Sequence, residues 1–473
     1  MKKSIGLFEA MLPLVTMVVC LVGGSLFFPM SSELLVIVML ISAVVAGVIA
    51  IRHGHDWVDI QRSTGQKVAS VLPALLILLS IGMLIGTWMF SGTIPMLVYY
   101  GIRLVNPDYM ILTAFLVTAA MSLTGSSWAS AGTVGVALMG VATAMGAPLA
   151  ATAGAVVSGA YFGDKLSPLS DSTNICAIGA KADLYDHIRN MIYTAGPSFV
   201  VAFVVYLFAS ITIGGGDLTV AADSNRLLQE IDQIYVLNAL TFLPAVVVLY
   251  GTFRRKPAAL TMVASSLVAM IVGVGLHDLS VNSALLSAIS GFSFTMVNPD
   301  ILTDPSSALT SLLNRGGVNS MATTLILIIA AFLLAGGMDV SGGLNKLLQS
   351  MLQRARTAFG LVLATMLSGA TMISLTSHGG VTALIVGGLF QDAYKDQGLA
   401  PENLSRSLED SVTILEPLMP WTVSALFMAT TLGVPTVEYA PWAIFCMTGP
   451  IFSILIAATY SKTGFGLRRL DEA

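Results

Sequence analysis

The sequence predicts an all-α, polytopic membrane protein of about fourteen crossings, counting broken or re-entrant segments, built as two inverted-topology repeats with discontinuous helices at the centre. Three observations carry this: the composition, the recurrence of long apolar stretches, and an internal repeat. Only 10% of the 473 residues are charged and 55% are hydrophobic, with a mean hydropathy of +0.85. A soluble chain carries about 25% charged residues, so this one is an integral membrane protein.

Apolar stretches long enough for a crossing helix fall near 9–28, 32–51, 68–90, 108–123, 128–145, 149–181 (broken), 194–212, 233–250, 257–276, 318–337, 357–375, 379–395, 401–432 (broken) and 438–460. The stretch at 283–294 is short for a crossing. Under this count the cations collect on one side: Lys2, Lys3, Arg52, Arg62, Lys67, Lys181, Arg189, Arg254 to Lys256, Lys346, Arg354, Arg356, Lys462, Arg468 and Arg469. The other side holds Arg103, Arg226 and Arg315 amid Asp217, Asp223, Asp232, Asp278, Asp300 and Asp304. Positive charge stays in the cytoplasm, which puts both termini there.

Composition also excludes. Net charge is -4 with no basic block, so no nucleic-acid partner is expected. The sequence holds no GxxxxGK[ST], HExxH or GxSxG, which leaves ATP-driven pumping and enzymatic chemistry without support. Cys20, Cys176 and Cys446 stand in separate apolar segments without CxxC spacing and read as packing residues. No cofactor is expected.

The repeat decides the architecture. Leu84 to Gly92 matches Leu334 to Gly342 at an offset of 250, and Pro168-Leu169 matches Pro417-Leu418 at 249. Ser127 to Thr133 lies against Thr376 to Thr382 in the same register. Seven crossings separate equivalent spans, so the second copy runs upside down. The halves are 1–232, with a broken helix at 163–174, and 233–473, with a broken helix at 409–422. Inverted repeats with broken central helices are the architecture of secondary transporters.

The first break, Gly163 to Asn174, sets Asp164, Lys165 and Asp171 around Pro168 in the middle of an apolar span. Proline removes a backbone donor and clashes with the preceding turn, so the helix opens there. Freed carbonyls, hydroxyls and carboxylates are hard oxygen ligands suited to Na+. Asp171, three residues past the proline, is the leading candidate for an ion and proton carboxylate, with Na+ at Asp171 and its neighbours. Asp164 is second, with Lys165 offsetting it, and Ser170, Thr173 and Asn174 are candidate neutral ligands. Helix capping and back-bonding are the competing roles for these hydroxyls. In the second break Pro417 and Pro420 open the helix, and Asp410, Thr413 and Glu416 lie three apart on one helical face. Ser126, Ser127, Trp128, Ser377, His378 and Thr422 interrupt apolar stretches at corresponding depths and are candidates for contacting a substrate. The glycines near them read as close-packing surfaces.

The run Gly159-Ala160-Tyr161-Phe162-Gly163-Asp164-Lys165-Leu166-Ser167-Pro168-Leu169-Ser170-Asp171-Ser172-Thr173-Asn174 closely resembles a motif of the NhaC family of bacterial Na+/H+ antiporters. The likeness extends through Ser126-Ser127-Trp128, Ala131-Gly132-Thr133, Leu404 to Ser411 and Pro420-Trp421, covering roughly residues 65 to 455. It implies an electrochemically driven exchanger of the bacterial inner membrane, in a family that also exchanges malate and lactate. The chain departs from the family pattern at Glu416, Thr422 and His378. The expectation is therefore Na+/H+ antiport by alternating access, with a hydroxy acid or amino acid as the alternative cargo. Na+, H+ and the lipid bilayer are the expected partners. A homodimer is an assembly state left open.

Overall fold

A computed structural model describes residues 5–28, 30–213, 218–277, 279–353 and 355–470. Lys2, Lys3, Asp217, Asp278 and Arg354, used above for orientation, lie outside the described residues. The described residues are helical throughout, apart from turns and a single antiparallel bridge, Leu399 with Arg469. Nine helices among them are long and apolar enough to cross a membrane, or eleven if each of two bent pairs is one span. Other expected crossings are shorter, such as Met110–Ser122 and Leu243–Phe253. The stretch expected at 233–250 becomes helical in its apolar span only from Leu243. Asn238 Oδ1 accepts from the amides of Leu240 (2.9 Å) and Thr241 (3.3 Å), and this turn competes with the helix. The stretch expected at 194–212 instead starts at Leu184.

Two series of elements run in the same order. Leu72–Phe90 ends at a left-handed Gly92 (φ 77) before Thr93–Leu104; Ala322–Val340 ends at a left-handed Gly342 (φ 75) before Gly343–Leu352. A Cβ is disfavoured at such φ, which accounts for a glycine at both turns. Met110–Ser122 and Ala358–Thr376 follow, each interrupted before the next helix. That next helix is Ser127–Ala144, with a π-turn at Ala131–Gly135, in the first series and Gly379–Asp396 in the second. Broken helices come next, then Leu184–Ile213 and Ile444–Thr463.

The break at Pro168 divides Leu149–Leu166 from Asp171–Ala180. The second interruption is longer. Pro401–Leu408 runs into a π-turn at Glu409–Thr413, then a 3-10 turn at Glu416–Leu418, before Val423–Leu432. Glycine lets the first broken helix reach the centre. An added Cβ at Gly159 or Gly163 would collide with the Phe115 or Ala119 carbonyl on Met110–Ser122. Small residues permit such close backbone approach in membranes.

Candidate functional site

At the first break, the freed backbone groups are taken up locally. Ser170 caps the Asp171–Ala180 helix. Thr173 Oγ1 donates to the Asp164 carbonyl (3.1 Å), and Asn174 Nδ2 donates to the carbonyls of Ser170 (2.7 Å) and Pro168 (3.1 Å). The three neutral ligands expected from the sequence thus brace the opening between the half-helices. Asp171 occupies the first turn of the second half-helix and is exposed. Asp164 is the buried carboxylate, 6% exposed, and accepts from Ser172 Oγ (3.0 Å) and Ser127 Oγ (3.4 Å).

Lys165 does not offset its neighbour Asp164. It forms an ion pair with Asp410 on the second broken helix, where both side chains are buried. Thr194 Oγ1 also donates to Asp410 Oδ1 at 3.3 Å. The face expected for Asp410, Thr413 and Glu416 is altered by the π-turn, which widens the helix by a residue. Thr413 Oγ1 donates to Oε1 of Glu409 (2.8 Å), and Ser172 Oγ reaches the same oxygen at 3.4 Å. Ser172 therefore lies between carboxylates of two broken helices.

Glu416, 8% exposed, accepts from the Gly379 amide at 3.2 Å, at the N-terminus of Gly379–Asp396. An anion there meets the positive end of the helix dipole. Thr422 Oγ1 donates to the Glu416 carbonyl (2.5 Å) while capping Val423–Leu432. Ser377 is buried in a left-handed conformation (φ 57), and its carbonyl accepts from Val423 N (3.0 Å). Trp128 stacks on Phe427, 4.4 Å between centroids, and its Nε1 donates to Ser424 Oγ (3.3 Å).

A cavity of about 400 Å³ lies where these segments meet. Asp164, Asp171, Ser126, Trp128, His378 and Glu416 line it, so both breaks contribute. Ser127, Ser170, Asn174 and Thr413 also border it, while Thr173, Asp410, Ser377 and Thr422 lie outside its lining. Its walls extend to Ser70 and Ala383, on segments that lead to Lys67 and Lys395. Among the described residues no cluster of three or more His, Cys, Asp or Glu side chains could hold a metal ion. The chemistry offered is that of two buried carboxylates on the cavity wall, Asp164 with hydroxyl donors and Glu416 with a backbone amide.

Sequence reasoning gave His187 no role. It is fully buried, its Nδ1 pairs with Ser405 Oγ (2.7 Å), and its Nε2 stands 4.0 Å from Glu409 Oε2. Ser172 stood beside chosen residues without being selected, and Glu409, one of three carboxylates at the second break in the sequence, reads there also as a helix-end partner of Arg406.

The Na+/H+ antiporter family model matches residues 159–459, which include both breaks. An uncharacterized Na+/H+ antiporter of Haemophilus influenzae is 43% identical over 98% of this chain and 97% of its own. The Na+/H+ antiporter NhaC of Alkalihalophilus pseudofirmus is 34% identical over 91% of this chain and 90% of its own. A malate-2H+/Na+-lactate antiporter of Bacillus subtilis is 30% identical, with 97% and 95% covered. With likeness over nearly the whole length and through both interrupted helices, the chain belongs to the Na+/H+ antiporter family, alongside its NhaC proteins.

Proposed function

We propose that the protein exchanges Na+ for H+ across the bacterial inner membrane, with both termini in the cytoplasm, and that the two ions compete for Asp164. One observation carries this reading: Asp164 is a buried carboxylate on the wall of a cavity shared by both broken helices, with two hydroxyls on it. Ionised, it holds a hard cation, and the Ser127 and Ser172 oxygens can turn toward that ion. Protonated, it is neutral and releases the cation. A proton and a cation therefore exclude one another at this carboxylate. Asp171, exposed at the rim, draws cations toward the cavity.

The parallel order of elements, with left-handed glycines at equivalent turns, supports two inverted repeats, 1–232 and 233–473. Relative movement of these halves would alternate access to the cavity. The segments bordering the cavity lead to the cation-rich face, which supports an opening toward the cytoplasm. No step of this reading calls on enzymatic chemistry.

The test is exchange in everted vesicles, read as Na+-induced dissipation of a pH gradient. Asp164→Asn abolishes the response, and Asp171→Asn keeps it with a raised Na+ KM. Full exchange by Asp164→Asn would reject the assignment. The cavity volume favours a second reading, because about 400 Å³ far exceeds one cation and the wall includes Trp128 and His378. On that reading a small hydroxy acid or amino acid moves with the ions. Labelled malate or lactate uptake that depends on Na+ would establish it, and uptake indifferent to Na+ would not.

A further inference from the structure

We propose that the C-terminal return segment, Gly464 to Leu470, and the buried Arg406 that it holds are positioning elements for the second break. Together they set the affinity of the site for its cation. This rests on the Na+/H+ reading above.

Ile444–Thr463 ends at Gly464 (φ 65), and Gly466 (φ 83) turns the chain back toward the helices. The returning backbone then runs along the start of the second broken helix. The Arg468 carbonyl accepts from the Ala400 amide (3.0 Å) and Asn403 Nδ2 (2.7 Å), and its amide donates to Asn403 Oδ1 (3.0 Å). The Leu470 amide donates to the Gly398 carbonyl (3.0 Å). Asn403 is fully buried, so the segment grips the interior of the bundle as well as its surface.

Arg406 is the deepest point of this contact. It is fully buried, and Nη1 donates to the Gly466 carbonyl (2.7 Å) and to Asn190 Oδ1 (2.5 Å). Its guanidinium lies 6.0 Å from the Tyr193 ring, and none of the ion pairs among the described residues includes it. Arginine does not give up its proton in a protein, so this charge persists; its hydrogen bonds go to neutral dipoles, while the Asp410 and Glu402 carboxylates act on it from further away. Among the described residues its Nε and Nη2 have no hydrogen-bond partner. Losing the Gly466 carbonyl would leave a buried charge with one hydrogen-bond acceptor, a costly arrangement that drives rearrangement. Arg406 precedes Glu409 and Asp410 by three and four residues on the same run. Any shift of Arg406 moves the carboxylate turn that meets Ser172 and Lys165.

The experiment measures Na+-dependent proton movement in proteoliposomes for the full-length chain, a chain ending at Thr463, and full-length Asn403→Ala and Arg406→Lys variants. The shortened chain and Asn403→Ala are expected to raise the Na+ KM about tenfold while the maximal rate stays within about threefold. Arg406→Lys, which keeps the charge, falls between these and the full-length chain. If the shortened chain fails to insert, Asn403→Ala decides alone. An unmoved KM in Asn403→Ala, or a fall in maximal rate at constant KM, overturns the inference. Absence of exchange by the full-length chain would instead sink the Na+/H+ reading, and this inference with it.

Discussion

The two breaks are interrupted by proline in the same way and use the interruption differently. At the first, Ser170, Thr173 and Asn174 bind the loose backbone ends, and Asp164 alone is presented to the cavity as a buried charge. At the second, past a π-turn, Asp410 pairs with Lys165 of the first broken helix, and Glu416 accepts from Gly379 on a neighbouring helix. The first break clamps its own backbone ends, and the second is a junction. Local bonds fix a shape within one segment, whereas the Lys165–Asp410 pair, 245 residues apart in the chain, ties one broken helix to the other.

The largest test of that contrast is Lys165→Met. It leaves Asp410 buried without its counter-ion, and breaking such a pair costs about 3–5 kcal/mol. The expected outcome is a sharply reduced yield of folded protein in detergent. Pairing the change with Asp410→Leu should restore most of it, since removing both charges is often neutral. Failure of the double variant to recover would mean that the pair is more than a structural link.

A smaller effect is expected at the clamp. Thr173→Val removes one hydroxyl from the Asp164 carbonyl and should cost about 1 kcal/mol, read as a modest fall in melting temperature. A loss as large as that from Lys165→Met would erase the distinction between the two breaks. The smallest effect is expected for Glu416→Gln, because its side-chain oxygen can still accept from Gly379. Stability should fall by less than it does in Thr173→Val, and a larger drop would show that the negative charge itself holds the Gly379 helix.

Much of this arrangement was legible because proline and glycine act locally. Pro168 and Pro417 mark the two openings, and the matched glycines at 92 and 342 mark the repeated turn. The partner of Lys165 was not legible. Proximity in sequence suggested Asp164, while the fold supplies Asp410 from 245 residues away. Asp171 looked central by its distance from the proline. It begins a new half-helix, however, and is exposed, while Asp164 lies in the last turn of the preceding one and is buried. His187 was missed for a different reason. The first turns of Leu184–Ile213 are polar, and hydropathy ends a span where polar residues begin. Asp186 and Arg189 stay solvent-accessible in these turns, while His187 and Asn190 turn inward against the second broken helix and are buried.

The account turns on whether Na+ and H+ exclude each other at Asp164. Proton release on adding NaCl to the purified protein in weakly buffered detergent solution measures this directly. Release that saturates with Na+, persists in Asp171→Asn and vanishes in Asp164→Asn is the predicted result. Undiminished release from Asp164→Asn would contradict it.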